Sequence, residues 1–203
     1  LKFIFDLQED ENHTEMKSFL RLLNKIAKNH HLTSSFCEKI KSILYSFRND
    51  IKQTLSNREI FDIFKDNKLL FRFLLKRKTI KIDQYIVKYI ESKPSYELFF
   101  YPEIHKFLSS KKRSQIKSQL SEENSYSDKK FNEKRKIGEN DSYICSLIRN
   151  DLIDEFISYV NKRSISLSSQ IRQSIFETNH FLEKNENTTL IEYSAFYGSI
   201  QIF

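Results

Sequence analysis

Cysteine and histidine are the residues of this sequence whose side chains could act as nucleophiles, bases or metal ligands. A Cys–His nucleophile pair needs an oxyanion-stabilising turn, and a metal site needs further ligands about four residues apart or brought together by the fold. The chain offers no obvious arrangement of either kind, so we predict no catalytic residues, no bound metal and no enzymatic activity. Both cysteines are expected to be small buried hydrophobes. The residues concerned are Cys37, Cys145, His13, His30, His31, His105 and His180.

The scarcity of glycine bears on cofactor binding. Loops that cradle the phosphates of nucleotides need clustered glycines, whereas this chain has two distant ones, Gly138 and Gly198. We therefore expect no cofactor. Because no apolar run reaches the ~18 residues of a membrane span, no membrane span is expected. Well-separated cysteines and the lack of a secretory leader favour an intracellular, cytoplasmic protein.

Basic residues are concentrated in the middle of the 203-residue chain, whose formal net charge is +7. A basic surface can bind nucleic acid, anionic lipid or an acidic partner. Binding of nucleic acid or anionic surfaces through residues 72–81 and 111–136 is therefore the alternative function, although the net charge is modest beside that of dedicated nucleic-acid binders. The runs Lys76–Lys78 and Lys129–Lys136 also resemble nuclear import signals, and Ser125–Ser127 could accept phosphate.

Apolar residues recur three and four apart along most of the chain, which is typical of amphipathic helices. The first predicted helix opens near Thr14, and Phe3–Phe5 are expected to form an extended end. The second helix has Thr33 or Ser34 as its cap. Their predicted core positions are Met16, Phe19, Leu20, Leu22, Leu23, Ile26 and Ala27, then Phe36, Cys37, Ile40, Ile43, Leu44 and Phe47, with Ile51 and Leu55 as an extension.

Shorter helices are predicted after residue 55. Ser56 or Asn57 caps the first of them, Pro94 ends another, and Pro102 opens a new helix in its first turn. Residues 109–137 are polar and charged, with Ile116 and Leu120 as the core of one short helix at most. The sequence therefore predicts an amino-terminal helical block over 1–108, a charged, mobile linker or loop over 109–137, and helical repeats over 138–203.

An internal repeat is the most informative feature of the sequence. Asn67–Leu74 aligns with Asn150–Ile157, and a third copy, starting at Ile191, places Gly198 opposite Asp151. Each copy predicts a short helix, a tight turn at Asn or Gly, which tolerate the left-handed conformation, and a second helix. Such a pair cannot bury its apolar face alone, so the pairs must stack. Further aligned positions are Leu69/Leu152, Leu70/Ile153, Phe73/Phe156, Leu74/Ile157, Ile153/Ile200 and Phe156/Phe203.

The last copy, Thr189–Phe203, resembles an ankyrin repeat, with Leu190 and Glu192 where Pro and His are usual. The chain over 57–203 is similar to the amino-terminal region of ankyrin-repeat proteins expanded in trichomonad protists. The stretches that carry this likeness are Phe100–Phe107, Gly138–Ile148, Ile175–Asn179 and Leu190–Phe203. The resemblance implies an α-helical, solenoid-like fold and protein binding, and no catalytic residues.

These features predict an all-α protein of stacked helix-turn-helix pairs, an ankyrin-like α-solenoid with irregular repeats. Its predicted function is a non-catalytic protein–protein interaction scaffold. The partner, the binding residues and the oligomeric state are not assigned by the sequence. Because the chain starts at Leu1 and stops at Phe203 in mid-pattern, we expect it to be part of a longer protein.

Overall fold

In the part of the chain that the computed structural model describes, every regular element is an α-helix. The structure describes residues 2–29, 34–122, 128–185 and 187–202. Within these ranges, extended backbone pairs only at an isolated antiparallel bridge between Gln170 and Thr189. The prediction of an all-α chain is confirmed. Several residues singled out above lie outside the described ranges: His30, His31, Thr33, Ser125, Tyr126, Ser127 and Phe203.

The chain divides into two compact units, Leu1–Ser118 and Gln119–Phe203. The first contains α1 (Lys2–Asn29), α2 (Ser34–Ser46), α3 (Arg48–Thr54), α4 (Asn57–Phe64), α5 (Lys68–Lys76), α6 (Gln84–Glu91), α7 (Pro94–Phe99) and α8 (Tyr101–Ile104), and the division falls inside α9 (Ser110–Glu122). The second contains α10 (Asp128–Ile137), α11 (Tyr143–Arg149), α12 (Ile153–Arg163), α13 (His180–Lys184) and α14 (Leu190–Tyr197).

The segment 109–137, predicted to be a linker or loop, instead holds α9 and α10. Ile116 and Leu120 are fully buried on α9, and Phe131 is almost fully buried on α10. Residues four apart share one face of a helix, so two apolar side chains suffice to bury a face of α9. The short helix expected around Ile116 and Leu120 is therefore present as α9, whereas α10 was not predicted.

The amino-terminal helices also differ from their predictions. α1 begins at Lys2, and Phe3–Phe5 lie inside it instead of forming an extended end. Thr14 does not begin the helix but lies inside it. Its hydroxyl donates to the carbonyl of Asp10 at 2.9 Å, a hydrogen bond that threonine makes within helices. The predicted extension of α2 is a separate helix, α3, after a break at Phe47.

Capping residues fix the starts of the shorter helices. Ser56 caps α4 as predicted, and Glu59 completes a reciprocal capping box. Lys17 also donates to the Glu59 carboxylate, at 2.8 Å, and these hydrogen bonds lower the pKa of Glu59 to about 2. Pro94 opens α7 and Pro102 lies in the first turn of α8, where a missing N–H costs nothing.

Helices α4 and α6 lie side by side and run in the same direction. At their first turns, the Asn57 side-chain amide donates to the Asp83 carboxylate at 2.9 Å. At their last turns, the Tyr89 hydroxyl donates to the Asp66 carboxylate, which also accepts from Lys93 at 3.1 Å. Contacts at both ends hold the two helices in register, with α5 between them in the chain.

Phenylalanine fills the core of the first unit. Phe61, Phe64, Phe71, Phe99 and Phe100 are fully buried. The ring centroids of Phe61 and Phe71 are 5.2 Å apart, and those of Phe71 and Phe100 are 4.8 Å apart, the range in which aromatic pairs attract each other. Much of the phenylalanine surplus in the composition is therefore core.

The second unit repeats this arrangement of side-by-side helices with α11 and α14. Arg149 of α11 donates to the Tyr193 hydroxyl of α14 at 2.8 Å, and beyond their ends Ser199 donates to the Ile148 carbonyl. The two carboxyl ends therefore lie together, with α12 and α13 between the helices in the chain. A buried apolar cluster lies beneath them, formed by Cys145, Leu147, Ile148, Phe156, Leu182, Leu190, Tyr193 and Ile202.

The turns that follow α11 and α14 have the same backbone conformation. Asp151 and Gly198 are left-handed, with φ of 51° and 67°. The N–H groups of Asp151 and Leu152 donate to the Ile148 and Leu147 carbonyls, and those of Gly198 and Ser199 donate to Ala195 and Ser194. The predicted register of the third copy, with Gly198 opposite Asp151, is thus confirmed by the hydrogen bonds.

The first copy of the predicted repeat is not equivalent in structure. Asn67 is the N-cap of α5, whereas Asn150 precedes the turn and Leu152 is the N-cap of α12. Neither asparagine is left-handed, since φ is −127° at Asn67 and −94° at Asn150. The sequence alignment of these two copies was wrong by about two positions, because the asparagine that begins α5 was matched with the asparagine that ends α11.

Candidate binding surface

Four apolar side chains of α1 and the α2–α3 region remain on the surface and form an aromatic patch: Phe19, Leu22, Ile43 and Phe47. The ring centroids of Phe19 and Phe47 are 5.5 Å apart, which joins the two segments. Leu22 is 58% exposed and Phe47 is 43% exposed. Clustered exposed apolar side chains are unusual on a surface and mark interaction sites.

The patch arises because each helix has more apolar residues than its core can hold. The buried face of α1 is filled by Leu20, Leu23 and Ala27, and that of α2 by Cys37, Ile40 and Leu44. Apolar residues just beside these positions are turned toward solvent, since a helix face spans only part of each turn. The sequence prediction placed all of these residues in one core face, so it missed the exposed ones.

A cationic group lies over an exposed aromatic ring elsewhere in the first unit. The Arg77 guanidinium is 4.8 Å from the centroid of the Tyr45 ring and 5.5 Å from that of Phe73. Tyr45 is 53% exposed. Arginine over an aromatic face is favourable and still leaves its donors accessible. Lys76, Lys78 and Lys81 are also exposed, so the basic segment 72–81 presents its charges to solvent.

Several cations of the second basic segment, 111–136, are held by groups of the fold. Lys112 pairs with Glu97 at 3.0 Å and Lys134 with Asp141 at 2.6 Å. Arg135 is 1% exposed, with its guanidinium 5.6 Å from the centroid of the Phe131 ring. These groups are partly neutralised or enclosed, so the second segment offers less free charge than its composition indicates.

The two cysteines are buried, as expected. Burial raises the pKa of the Cys145 thiol to about 11 and also raises that of Cys37. Because the thiolate is the nucleophilic form, both thiols are weak nucleophiles at neutral pH. Among the histidines, His13 pairs with Glu59 at 3.0 Å and His105 contacts the Pro102 carbonyl at 2.9 Å.

A buried polar network secures the loops of the second unit. The Glu177 carboxylate accepts from the backbone N–H groups of Asn140, Thr178 and Asn179, at 3.2, 3.0 and 2.8 Å. Burial raises the pKa of Glu177 to about 7, against the opposing effect of these three donors. Arg149 pairs with Glu139 at 2.8 Å. The network joins loop residues to the start and the end of α11. Its members are distant in sequence and form no local pattern, so the sequence could not predict the network.

The described residues contain no group of three or more His, Cys, Asp or Glu side chains that could hold a metal ion. Among the helices that the structure describes, none is both long enough and apolar enough to cross a membrane. No family model matches the chain, and neither a curated protein nor a solved structure matches it. Because exposed rings of Phe19 and Phe47 are in contact across two segments, the aromatic patch is the strongest candidate for a functional surface.

Proposed function

We propose that this chain is a non-catalytic protein–protein interaction scaffold, an ankyrin-type binding module whose helix pairs stack as an irregular α-solenoid. The observation that carries the binding function is the aromatic patch, in which Phe19 and Phe47 are in ring contact while both stay exposed. Aromatic side chains are enriched where proteins meet, and a few buried residues carry most of the binding energy there. A surface of this kind binds its partner by burial and needs no chemistry.

Two arrangements support the stacked fold. In the first unit α4 and α6 run side by side in the same direction, with α5 between them in the chain. In the second unit α11 and α14 do so, with α12 and α13 between them in the chain. Successive helix pairs placed side by side are typical of repeat proteins, which bury their apolar faces against neighbouring repeats.

The ankyrin likeness of the last copy is supported by its cap and its turn. Thr189 caps α14, and the carboxylate of Glu192, which stands where the family has histidine, accepts a hydrogen bond from the Thr189 N–H at 2.8 Å. Glu192 thus replaces the missing histidine in holding the helix start. Gly198 ends the helix in the left-handed conformation, as the ankyrin pattern requires.

The test is capture of partners from cells with the whole chain as bait. We expect one recurrent protein to be recovered with the wild-type chain and lost with Leu22→Asp, which places a charge at the most exposed side chain of the patch. Phe107→Asp is the matched control, because Phe107 is also exposed, at 45%, and lies in the same unit outside the patch. Recovery that Leu22→Asp leaves unchanged would overturn the proposed role of the patch.

A second candidate function, binding of nucleic acid or anionic surfaces, is favoured by the exposed cations of Lys76–Lys81 with Arg77 over Tyr45. Binding of this kind weakens steeply with salt: about four phosphate contacts would lower the affinity about a hundredfold between about 50 and 200 mM salt. Capture that nuclease treatment abolishes, together with such salt dependence, would establish this alternative in place of the scaffold.

A further inference from the structure

Charged side chains border the part of the aromatic patch that α1 contributes. Glu15 lies four residues before Phe19, and Lys25 lies three residues after Leu22. Residues three and four apart are neighbours on the surface of a helix, and both charged side chains are exposed. The apolar part of α1 is therefore bounded by an acidic group at one end and a basic group at the other.

The α2–α3 region has the same kind of border. Lys39 lies four residues before Ile43, and Asp50 lies three residues after Phe47; both charged side chains are exposed. The Phe47 N–H donates to the Ile43 carbonyl at 3.1 Å, and the Ile51 N–H donates to the Phe47 carbonyl at 2.9 Å. Helical spacing is thus kept across the break at Phe47, so the basic and acidic groups lie at opposite ends of one apolar row.

The two rows run in opposite directions. α1 ends at Asn29 and α2 begins at Ser34, and helices joined by so short a connection are antiparallel neighbours. The ring contact between Phe19 and Phe47 fixes which ends lie together. Glu15 and Asp50 are therefore at one end of the aromatic patch, and the two lysines are at the other.

A patch with one acidic end and one basic end is complementary to itself. A half turn about an axis that crosses both helices in the plane of the patch places the acidic end of one copy on the basic end of a second. Glu15 of each copy then faces Lys25 of the other, and Asp50 faces Lys39. Each pair occurs twice, as in any contact with two-fold symmetry. Every complementary charge belongs to this chain, which favours a second copy as the occupant of the patch.

We propose that the aromatic patch is a two-fold dimer interface, in which a second copy of this chain packs α1 against α1 and the α2–α3 region against its equivalent. The proposal rests on the proposed binding function, because it names the partner of the same patch. Residues 1–64 contain ten basic and nine acidic residues. The excess of positive charge thus lies outside the segment that forms the interface, where it adds little repulsion between the two copies.

The first test is sedimentation equilibrium of the purified whole chain. The mass is expected to rise with concentration from 24.4 kDa toward twice that value. Leu22→Asp should raise the Kd of the dimer about tenfold or more, since a loss of about 1.4 kcal/mol corresponds to tenfold. Phe107→Asp is the matched control at an exposed site of the same unit outside the patch, and it should dimerise as the wild type does.

The second test exchanges charges between copies. Glu15→Lys alone and Lys25→Glu alone each place like charges opposite each other at two points of the dimer. Each variant should raise the Kd about tenfold at about 50 mM salt, where screening is weak. An equimolar mixture of the two variants should form heterodimers about as stable as the wild-type dimer, because every reversed charge again faces an opposite one. A partner of another kind could not produce this recovery.

Three results would overturn the proposal: a wild-type chain that is monomeric at every concentration, a dimer that Leu22→Asp leaves intact, or a mixture no more associated than its separate variants. A monomeric chain whose partner from cells is still lost with Leu22→Asp would overturn the dimer and leave the proposed function standing. Circular dichroism of each variant confirms that the helices are retained, as expected for changes at exposed positions.

Discussion

Asp151 and Gly198 adopt the same left-handed backbone conformation at the same point of two helix pairs, with φ of 51° and 67°. A side chain in this region of the Ramachandran map costs about 1–2 kcal/mol, which glycine avoids. The aspartate recovers part of that cost, because its carboxylate accepts from the Gln201 N–H of the next turn.

Gly198→Ala is expected to lower the free energy of unfolding by about 1 kcal/mol. A β-carbon at this position would meet no atom within 4 Å, so the cost comes from backbone conformation and not from a clash. Gly198→Asn should cost less, because asparagine tolerates the left-handed region. Urea denaturation of the wild type and the two variants gives the order of their free energies of unfolding. An alanine variant as stable as the wild type would contradict the explanation by backbone conformation.

Leu20→Ala and Leu22→Ala should differ strongly although they lie two residues apart on α1. Leu20 is fully buried and Leu22 is 58% exposed. The first change is expected to cost about 2–5 kcal/mol through lost packing and a cavity, and the second about 0.5 kcal/mol or less. The Tm of each variant measures the difference. An equal fall in Tm for the two variants would show that Leu22 is part of the core.

Glu177 should make the second unit less stable as pH rises. Its pKa in the folded state is about 7, above the ordinary value of 4.5, so the folded state binds the proton more tightly than the unfolded state. The resulting stabilisation is complete below about pH 4.5 and is lost as pH rises through about 7. Urea denaturation between pH 5 and pH 8 is expected to show a free energy of unfolding that falls as pH rises. Glu177→Gln should remove this fall, whereas Glu155→Gln, a change at an exposed site, should preserve it.

Cys37 and Cys145 should resist alkylation in the native protein. Burial blocks access and raises the pKa of both thiols, that of Cys145 to about 11. We expect iodoacetamide to label neither cysteine at pH 7.5 within the time that labels both in denaturant. Rapid native labelling of Cys145, located by mass spectrometry, would reopen the case for a reactive thiol.

The parts of the fold that depend on local sequence were predicted well. The cap at Ser56, the proline start of α8 and the turn at Gly198 each require one residue type at one position, so the sequence shows them directly. Pro94 was predicted to end a helix and is instead the first residue of α7. The capping role of Glu192 could also have been predicted, because Thr189 and Glu192 have the spacing of a capping box. It was missed because Glu192 was compared only with the histidine of the ankyrin pattern.

The parts that depend on tertiary packing were not predicted. α10 has Phe131 as a buried residue in a charged segment, and only burial distinguishes it from a loop. Leu22 and Leu23 are the same residue type side by side, yet one is exposed and the other 7% exposed, a difference set by which neighbour covers each. The aromatic patch could therefore not be separated from the core by periodicity alone.

The aromatic patch also has a consequence for handling the protein. Exposed aromatic and aliphatic side chains attract their counterparts on other molecules, and the net charge of +7 opposes this attraction by keeping the molecules apart. The isoelectric point is about 9.2, so alkaline buffer removes the repulsion while leaving the attraction in place. The purified chain should stay monodisperse at pH 7 and aggregate near pH 9, as measured by turbidity. The Leu22→Asp variant should show the lower turbidity at pH 9.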